Sequence, residues 1–163
     1  MRYHDITKDD MKNGPGLRTV LWVAGCSHAC PGCHNPVTWD ECGGLEFDQT
    51  AKEELFDLLS RDYISGLTFS GGDPLHPANR AAVLALAHEV RTRFPDKNIW
   101  LYTGYTFEEA VSFGLNCDID VVVDGRYVEA QRDNRLHWRG SANQRVIDVK
   151  RSLAAGGVVL FCD

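Results

Sequence analysis

Three cysteines lie within eight positions of the sequence, in the stretch GCSHACPGCHNP. Cys26, Cys30 and Cys33 have the spacing Cys-x3-Cys-x2-Cys, and no fourth cysteine follows at the fixed offset that ferredoxin-type runs use. Thiolates clustered in this way are ligands for soft metals and for iron–sulfur clusters. The triplet therefore predicts a metal centre that is either one protein ligand short or completed by a ligand elsewhere in the chain.

Two kinds of metal centre, and a loop without metal, fit this spacing. A structural zinc needs four ligands, and His28, His34 or Cys42 could supply the fourth. Three thiolates could instead hold three irons of a [4Fe–4S] cluster and leave the fourth iron open for a ligand. Spacing alone leaves these alternatives open, together with a loop that binds no metal.

A second candidate site is the pentapeptide SGGDP, residues 70–74, which follows a strand-like run. Gly-Gly followed by Asp-Pro is typical of a turn. The same residues could bind a ligand, because Gly71 and Gly72 let it approach the backbone closely and Asp73 offers an acceptor to a cationic amine. Alone, the motif favours a turn; beside an open metal site, it favours a binding site for an amino acid.

Other polar residues are weaker candidates. His34 and Asn35 follow the last cysteine, where they could hydrogen-bond a cluster sulfur or a bound ligand, or simply stabilise the loop. Asp124 ends a strand-like run and could contact a ribose or a cation, although an Asp-Gly turn is the stronger alternative. The segment 139–145, RGSANQR, has two arginines among small polar residues and could contact a cofactor or a partner.

The elements that must position these residues are indicated by apolar runs typical of strands. They occupy residues 19–25, 66–70, 98–104, 118–125 and 157–162. Helical patterns lie between them, which predicts an α/β fold with a mostly parallel sheet of about five or six strands. A closed eightfold barrel needs about 250 residues. We therefore expect a doubly wound sheet or a laterally open part of a barrel, with ligands at the carboxyl ends of the strands.

Capping signals indicate where the helices begin. Thr50 and Glu53 form a capping box for the first helix, Pro77 suits the first position of the second, and a capping box at Thr106 opens the third. The apolar face predicted for the second helix comprises Ala81, Leu84, Ala85 and His88. The stretch 24–48 has no periodicity, and loops of that length are usually functional.

The composition limits the classes of function. The 163 residues correspond to one domain, residues 1–163, without repeats or linkers. A net charge of −6 argues against a nucleic-acid partner. No signal peptide and no membrane-spanning run is visible, so we expect a cytoplasmic protein with reduced cysteines and no membrane partner. The scattered Cys42, Cys117 and Cys162 are expected to be small core residues.

The order of these motifs resembles that of the radical S-adenosylmethionine enzymes, in which a Cys-x3-Cys-x2-Cys loop precedes a turn usually written Gly-Gly-Glu-Pro. Within that superfamily the chain is similar to the activases of glycyl-radical enzymes, and most to the activases of anaerobic ribonucleoside-triphosphate reductases. The resemblance covers nearly the whole chain. Besides the cysteines and SGGDPLHP at 70–77, it rests on NGPGLR (13–18), CHNPVTWD (33–40), WLYTGY (100–105), VVVDG (121–125) and WRGSANQRVID (138–148).

The resemblance implies a fold, a set of ligands and a reaction. The fold is an abbreviated, laterally open (βα) barrel that forms one radical S-adenosylmethionine domain. Cys26, Cys30 and Cys33 would ligate a [4Fe–4S] cluster whose open iron binds S-adenosylmethionine, and Gly71 to Asp73 would hold its amino end. Reductive cleavage would give methionine and a 5′-deoxyadenosyl radical, which takes a hydrogen from a glycine of the large reductase subunit. An external low-potential electron donor would supply the electron.

Two rival functions stay open at the level of sequence. CHNPVTWD favours activation of a formate-lyase-type glycyl-radical enzyme, whereas CPGC and WRGSANQR favour the reductase. A zinc-binding adaptor without enzymatic activity, with Cys42 or a histidine as the fourth ligand, belongs to a different class. The chain also departs from the superfamily pattern at Gly32, where an aromatic residue is frequent. No side chain is therefore expected to stack on an adenine at that position.

Overall fold

Seven strands form one mixed sheet in the computed structural model, which describes residues 1–162. The strands are β1 (Arg2–Asp10), β2 (Leu17–Val23), β3 (Leu45–Glu46), β4 (Ile64–Gly71), β5 (Asn98–Tyr102), β6 (Val121–Asp124) and β7 (Arg145–Asp148). Their order in the sheet is β3-β1-β2-β4-β5-β6-β7. The four central strands β2, β4, β5 and β6 run parallel, while β1, β3 and β7 pair antiparallel at the two sides. The result is an open α/β sheet whose parallel centre ends at a common edge.

Helices cover one face of this sheet. They are α1 (Gln49–Leu59), α2 (Arg80–Arg93), α3 (Phe107–Ser112) and α4 (Val149–Ala155), with 3-10 turns at Pro36–Thr38 and Glu129–Gln131. Every second residue along the central strands packs against the helices. Examples are Leu67 and Phe69 of β4, and Ile99 and Leu101 of β5. The opposite face carries a smaller cluster around Trp100, over which Trp138 packs.

The central strands confirm four of the five predicted strand runs, and the fifth is wrong. Residues 157–162 form no strand; Leu160 makes an isolated bridge to Ile147, and Phe161 packs against Trp100. Three strands were missed. β1 and β7 are rich in polar residues because each lies towards a side of the sheet, and β3 has two residues. The sheet accordingly has seven strands rather than five or six.

The helices also correct parts of the prediction. Asp48, not Thr50, caps α1 by accepting a hydrogen bond from the Ala51 N–H group at 2.9 Å. Helix α2 begins at Arg80 rather than at Pro77. Its buried residues are Val83, Leu86, Ala87 and Val90, so the face predicted around Ala81 and Ala85 turns towards solvent. The capping box at Thr106 is confirmed, with Glu109 as its second member.

None of the three scattered cysteines is fully buried. Cys42 and Cys117 are exposed and Cys162 is half-buried, so the prediction that all three are small core residues is wrong. Within residues 1–162, the structure has no helix that is long and apolar enough to cross a membrane.

Candidate metal and cofactor site

The cysteine loop, residues 25–39, follows β2 directly and closes on itself. The Gly25 N–H group donates to the Thr38 carbonyl at 2.8 Å, and the Cys26 N–H group donates to the Trp39 carbonyl at 3.0 Å. These two bonds join the start and the end of the loop. The Thr38 N–H and hydroxyl groups both donate to the Asn35 carbonyl, at 3.0 and 2.7 Å, which fixes the turn behind the third cysteine. The loop that the sequence predicted without periodicity is therefore ordered by its own backbone.

All three cysteines of the loop are half-buried and none is in a disulfide. Burial raises the pKa of the Cys26 thiol, while backbone hydrogen bonds from His28 and Ala29 to its sulfur act in the opposite direction. The Asn35 N–H group donates to the Cys33 sulfur at 3.4 Å. Backbone N–H groups directed at cysteine sulfur are among the contacts that stabilise and tune iron–sulfur clusters. The donor set therefore fits a thiolate-bound cluster.

The ligand set is not gathered around a common point. In the part of the chain that the structure describes, no three or more His, Cys, Asp or Glu side chains converge closely enough to hold a metal ion. The fit to a cluster rests instead on the three thiols, on the Asn35 N–H group that faces the Cys33 sulfur, and on the Nδ1 atom of His28. That nitrogen lies in the same loop, is buried and has no hydrogen-bond partner.

The Gly-Gly-Asp segment at the end of β4 is hydrogen-bonded to the start of the cysteine loop. The Gly72 N–H group donates to the Val23 carbonyl at 2.8 Å, and the Asp73 N–H group donates to the Gly25 carbonyl at 2.7 Å. A Cβ atom at Gly72 would lie 2.5 Å from the Gly25 oxygen and 2.8 Å from the Thr38 oxygen. Glycine is required at position 72 because the loop backbone packs against it.

The Asp73 carboxylate is buried, at 1% exposure, and receives donors from three parts of the chain. The Leu75 N–H group lies 2.8 Å from Oδ1, and the Thr103 hydroxyl lies 2.8 Å from the same oxygen. The Gly104 N–H group and the His28 Nε2 atom lie 2.9 and 2.8 Å from Oδ2. Asp73 thus joins the ends of β4 and β5 to the cysteine loop.

A cavity of about 670 Å³ opens where the central strands end. Trp22 of β2, Ser70 of β4 and Tyr102 of β5 line one side of it, and Cys33 lines another. The candidates His34 and Asn35 also line it, and His34 packs against Tyr127 with 5.4 Å between ring centroids. The volume lies within the range of small-molecule sites, roughly 300–1,000 Å³. The structure thus brings a cysteine, two sequence candidates and the strand ends to one cavity.

A second cavity, of about 660 Å³, lies on the Cys30 side of the loop. His28, Pro31 and the segment 126–130 complete its lining. A Cβ atom at Gly32 would lie 2.6–2.8 Å from the carboxylate of Glu129, so that side chain takes the space beside the third cysteine. Gly32 has a φ of +73°, which L side chains rarely adopt, so the absence of a side chain at position 32 has a reason in the backbone.

The NGPG segment before β2 reaches the first cavity. Asn13 and Lys12 line it, and the Asn13 carbonyl accepts a hydrogen bond from the Thr68 hydroxyl at 2.8 Å. Arg18 donates to the same hydroxyl at 2.8 Å and to the Pro15 carbonyl at 3.2 Å. The segment is therefore held at the site by a buried arginine rather than being a free turn.

Asp124 lies at the end of β6, as predicted, but lines a different cavity from that of Cys33. It is 1% exposed. Its carboxylate accepts hydrogen bonds from Arg145 at 2.5 and 3.1 Å and from the Phe107 N–H group at 2.8 Å. These contacts tie β6 to β7 and to α3.

Several residues of the site gave no signal in the sequence. Asn79, buried before α2, donates to the carbonyls of Ala24 at 2.8 Å and Asp73 at 3.1 Å. The hydroxyl of Tyr127 and the Nε atom of Arg139 are buried without a partner, and both residues line the first cavity. Arg139 belongs to the RGSANQR segment considered for cofactor contact, whereas Asn79 and Tyr127 lie in segments that read as ordinary loop or helix start.

Comparisons with known proteins place the chain among iron–sulfur proteins. The family model for a 4Fe-4S single cluster domain matches residues 12–147. The anaerobic ribonucleoside-triphosphate reductase-activating protein of Enterobacteria phage T4 is 46% identical over 146 residues, which cover 90% of this chain and 93% of that protein. The proteins of the same name from Vibrio cholerae and Escherichia coli K12 are 47% and 41% identical, and the matches cover 88% and 90% of this chain and 96% and 97% of those proteins.

Proposed function

The chain belongs to the family of anaerobic ribonucleoside-triphosphate reductase-activating proteins with a 4Fe-4S domain, and from that premise we propose a reaction for it. The protein reductively cleaves S-adenosylmethionine and generates a glycyl radical on the anaerobic reductase. One electron and S-adenosylmethionine give methionine and a 5′-deoxyadenosyl radical. That radical takes a hydrogen atom from a glycine Cα, which yields 5′-deoxyadenosine and leaves the radical on the reductase.

Cys26, Cys30 and Cys33 hold the cluster in this proposal. When bound, the cluster supplies the low-potential electron and an open iron for the amino and carboxylate groups of S-adenosylmethionine. The observation that carries the proposal is that the loop directs the Asn35 N–H group at the Cys33 sulfur and is hydrogen-bonded to the Gly-Gly-Asp segment at 2.7 Å. A structural zinc site would have no need for this second segment.

The chain's own residues orient the substrate and exclude water. In this proposal the methionyl end lies beside the turn of Gly71 and Gly72, whose place is fixed by the bonds of Gly72 and Asp73 to β2 and the cysteine loop. The cavity of Trp22, Ser70 and Tyr102 receives the rest of the molecule. His34 and Asn35 lie at the wall nearest the third cysteine. Aromatic walls at a reacting centre shield a radical from solvent and from side reactions, which is the protein's contribution when the cofactor supplies the chemistry.

The protein partner enters from the open side of the sheet. We assign the sheet to the abbreviated, laterally open (βα) barrel of the activases, because a backbone glycine of a large subunit must reach the cavity. An external low-potential donor reduces the cluster, and the cytoplasm is the compartment that fits reduced cysteines. Neither a nucleic acid nor a membrane takes part.

Anaerobic reconstitution tests this function. We expect a brown protein with about four irons per chain, an EPR signal on reduction, and methionine release from S-adenosylmethionine. Cys26→Ala should abolish all three, whereas Cys42→Ala, at an exposed position, should leave them unchanged. A colourless protein with one zinc per chain that does not respond to S-adenosylmethionine would contradict the proposal and support the adaptor.

A further inference from the structure

On the premise of the cluster site proposed above, we infer that His28 and Asp73 act as a positioning pair. Their hydrogen bond fixes the cysteine loop against the Gly-Gly turn, so that the bound cluster faces the cavity at the strand ends. In this role the Asp73 side chain acts through His28 and does not itself bind the amine of the substrate. The sequence pattern predicted a different role for that carboxylate, as an acceptor for a cationic amine.

The Asp73 carboxylate has no acceptor capacity left for a ligand. Two carboxylate oxygens offer about four lone-pair sites. Four donors fill them: Leu75 N–H and the Thr103 hydroxyl on Oδ1, and Gly104 N–H and His28 Nε2 on Oδ2, all within 2.8–2.9 Å. With a residue exposure of 1%, no face of the carboxylate is turned to solvent. A bound amine would have to displace one of these donors.

His28 is the corresponding anchor on the loop. It lies midway between Cys26 and Cys30, and its side chain is 6% exposed. Because an ionised carboxylate only accepts, the His28 Nε2 atom carries the hydrogen that it donates to Asp73. The ring packs edge-on against Tyr105 at 4.5 Å.

Position 104 shows that the chain makes room for this ring. A Cβ atom at Gly104 would lie 2.4 Å from His28 Cδ2 and 2.7 Å from its Nε2 atom. The N–H group of the same glycine is one of the four donors to Asp73. The histidine is therefore seated between the end of β5 and the carboxylate, on a site that any larger residue at position 104 would close.

The pair holds the Gly-Gly turn and the cysteine loop in a fixed position relative to each other, as the proposed reaction requires. Asp73 directly follows Gly71 and Gly72, and its backbone N–H group donates to Gly25, the first residue of the loop. His28 repeats the connection three residues further along the loop, through its side chain. Partners that orient metal ligands in this way change metal affinity or activity by 10–100-fold when they are removed.

Two substitutions at position 28 separate the hydrogen bond from simple packing. Gln places its amide nitrogen near the position of Nε2, so His28→Gln keeps a donor for Asp73, whereas His28→Leu fills a similar volume without one. We expect His28→Leu to lose iron to a chelator at least about tenfold faster than the wild type and to bind S-adenosylmethionine about tenfold more weakly. His28→Gln should stay within about threefold of the wild type in both measurements.

The chain offers a matched control in His88, which pairs with Asp118 at 3.0 Å on the surface of α2. His88→Leu should leave iron retention and S-adenosylmethionine affinity unchanged. A His28→Leu protein that matches the wild type would overturn the inference. Equal loss in the Leu and Gln variants would also overturn it, because the hydrogen bond would then not be the cause.

A measurement on the protein without iron distinguishes this inference from the proposed function. Amide hydrogen exchange over residues 26–33 should be about tenfold faster in His28→Leu than in the wild type, and unchanged in His28→Gln. If the wild type takes up no cluster, the proposed function fails, but the exchange rates still test whether the hydrogen bond between His28 and Asp73 fixes the loop. If the wild type binds its cluster and exchange is the same in all variants, the pair fails alone.

Discussion

At the scale of single residues, Arg18 is a fully buried cation whose hydrogen-bond partners are neutral. It donates to the Thr68 hydroxyl, to the Asn98 side chain at 2.6 Å and to the Leu67 carbonyl at 2.8 Å, and it lies over the Trp100 ring. Burial lowers the pKa of its guanidinium to about 10, so it is still charged at neutral pH. Such a group is stable only because its planar fork meets several acceptors at once.

Arg18→Lys should therefore cost about 3 kcal/mol of unfolding free energy, because an ammonium group cannot reach the same acceptors and leaves some of them buried and unpaired. Urea denaturation of the iron-free protein measures this. Arg135→Lys is the control, since that side chain is 90% exposed, and it should change the free energy by less than about 0.5 kcal/mol. A loss of less than about 1 kcal/mol at position 18 would show that the arginine does not hold the NGPG segment in place.

Asp124 gives a second residue-scale prediction. Asp124→Asn should lower the free energy of unfolding by about 2 kcal/mol, because the carboxylate loses its charge-assisted bonds to Arg145. If its role is structural, as these contacts indicate, iron retention and S-adenosylmethionine affinity of the folded variant should match the wild type. A tenfold loss of affinity at unchanged stability would instead assign Asp124 to the ligand site.

At the scale of elements, the backbone of the cysteine loop packs closely against the end of β4. Gly72→Ala should destabilise the protein by about 1–3 kcal/mol, because the new Cβ atom would meet two carbonyl oxygens of the loop at 2.5 and 2.8 Å. The same variant should retain iron poorly. Gly157→Ala is the matched control, since a Cβ atom there meets nothing within 4 Å. Thermal unfolding and iron content of the two variants test this prediction. Equal stability and equal iron content in both variants would contradict it.

Sequence patterns predicted the elements that are buried on both faces. β5 and β6 are apolar on both faces, because helices cover one face and the Trp100 cluster lies on the other, whereas β2 and β4 turn apolar residues such as Leu21 and Phe69 to the helices. β1 was missed because its sequence is mostly polar, and β7 was missed because it has only two apolar residues, Val146 and Ile147, although both are buried. The run at 157–162 is apolar for another reason: Phe161 packs against Trp100 and Trp138, while pairing with β7 is limited to one bridge at Leu160.

The same contrast applies to the site. The cysteine loop and the Gly-Gly-Asp turn could be predicted because short spacings record them in the sequence. His28 could not be assigned to Asp73, because the two residues are 45 positions apart and a histidine between cysteines reads as a metal ligand or as loop. Contacts of this kind follow from which strands neighbour one another, and that order becomes visible in the folded sheet.

At the scale of the whole molecule, the proposed function requires a protein substrate to reach the cavity. In that proposal a glycine within a large subunit is presented to the cavity, and binding energy from a remote docking surface brings it there. We therefore expect a short peptide that bears the reductase's glycine to be a poor substrate, with kcat/KM at least about 100-fold below that of the intact subunit. A peptide activated as efficiently as the subunit would contradict this, and 5′-deoxyadenosine formation measures both.

The most direct test of the central claim is an EPR measurement on the reductase itself. The reconstituted protein, S-adenosylmethionine, a low-potential reductant and the large subunit are combined anaerobically. We expect a glycyl doublet on the subunit that collapses when the subunit is made with α-deuterated glycine, and no doublet with the Cys26→Ala protein. Methionine release from S-adenosylmethionine without any glycyl signal on the intact subunit would contradict it.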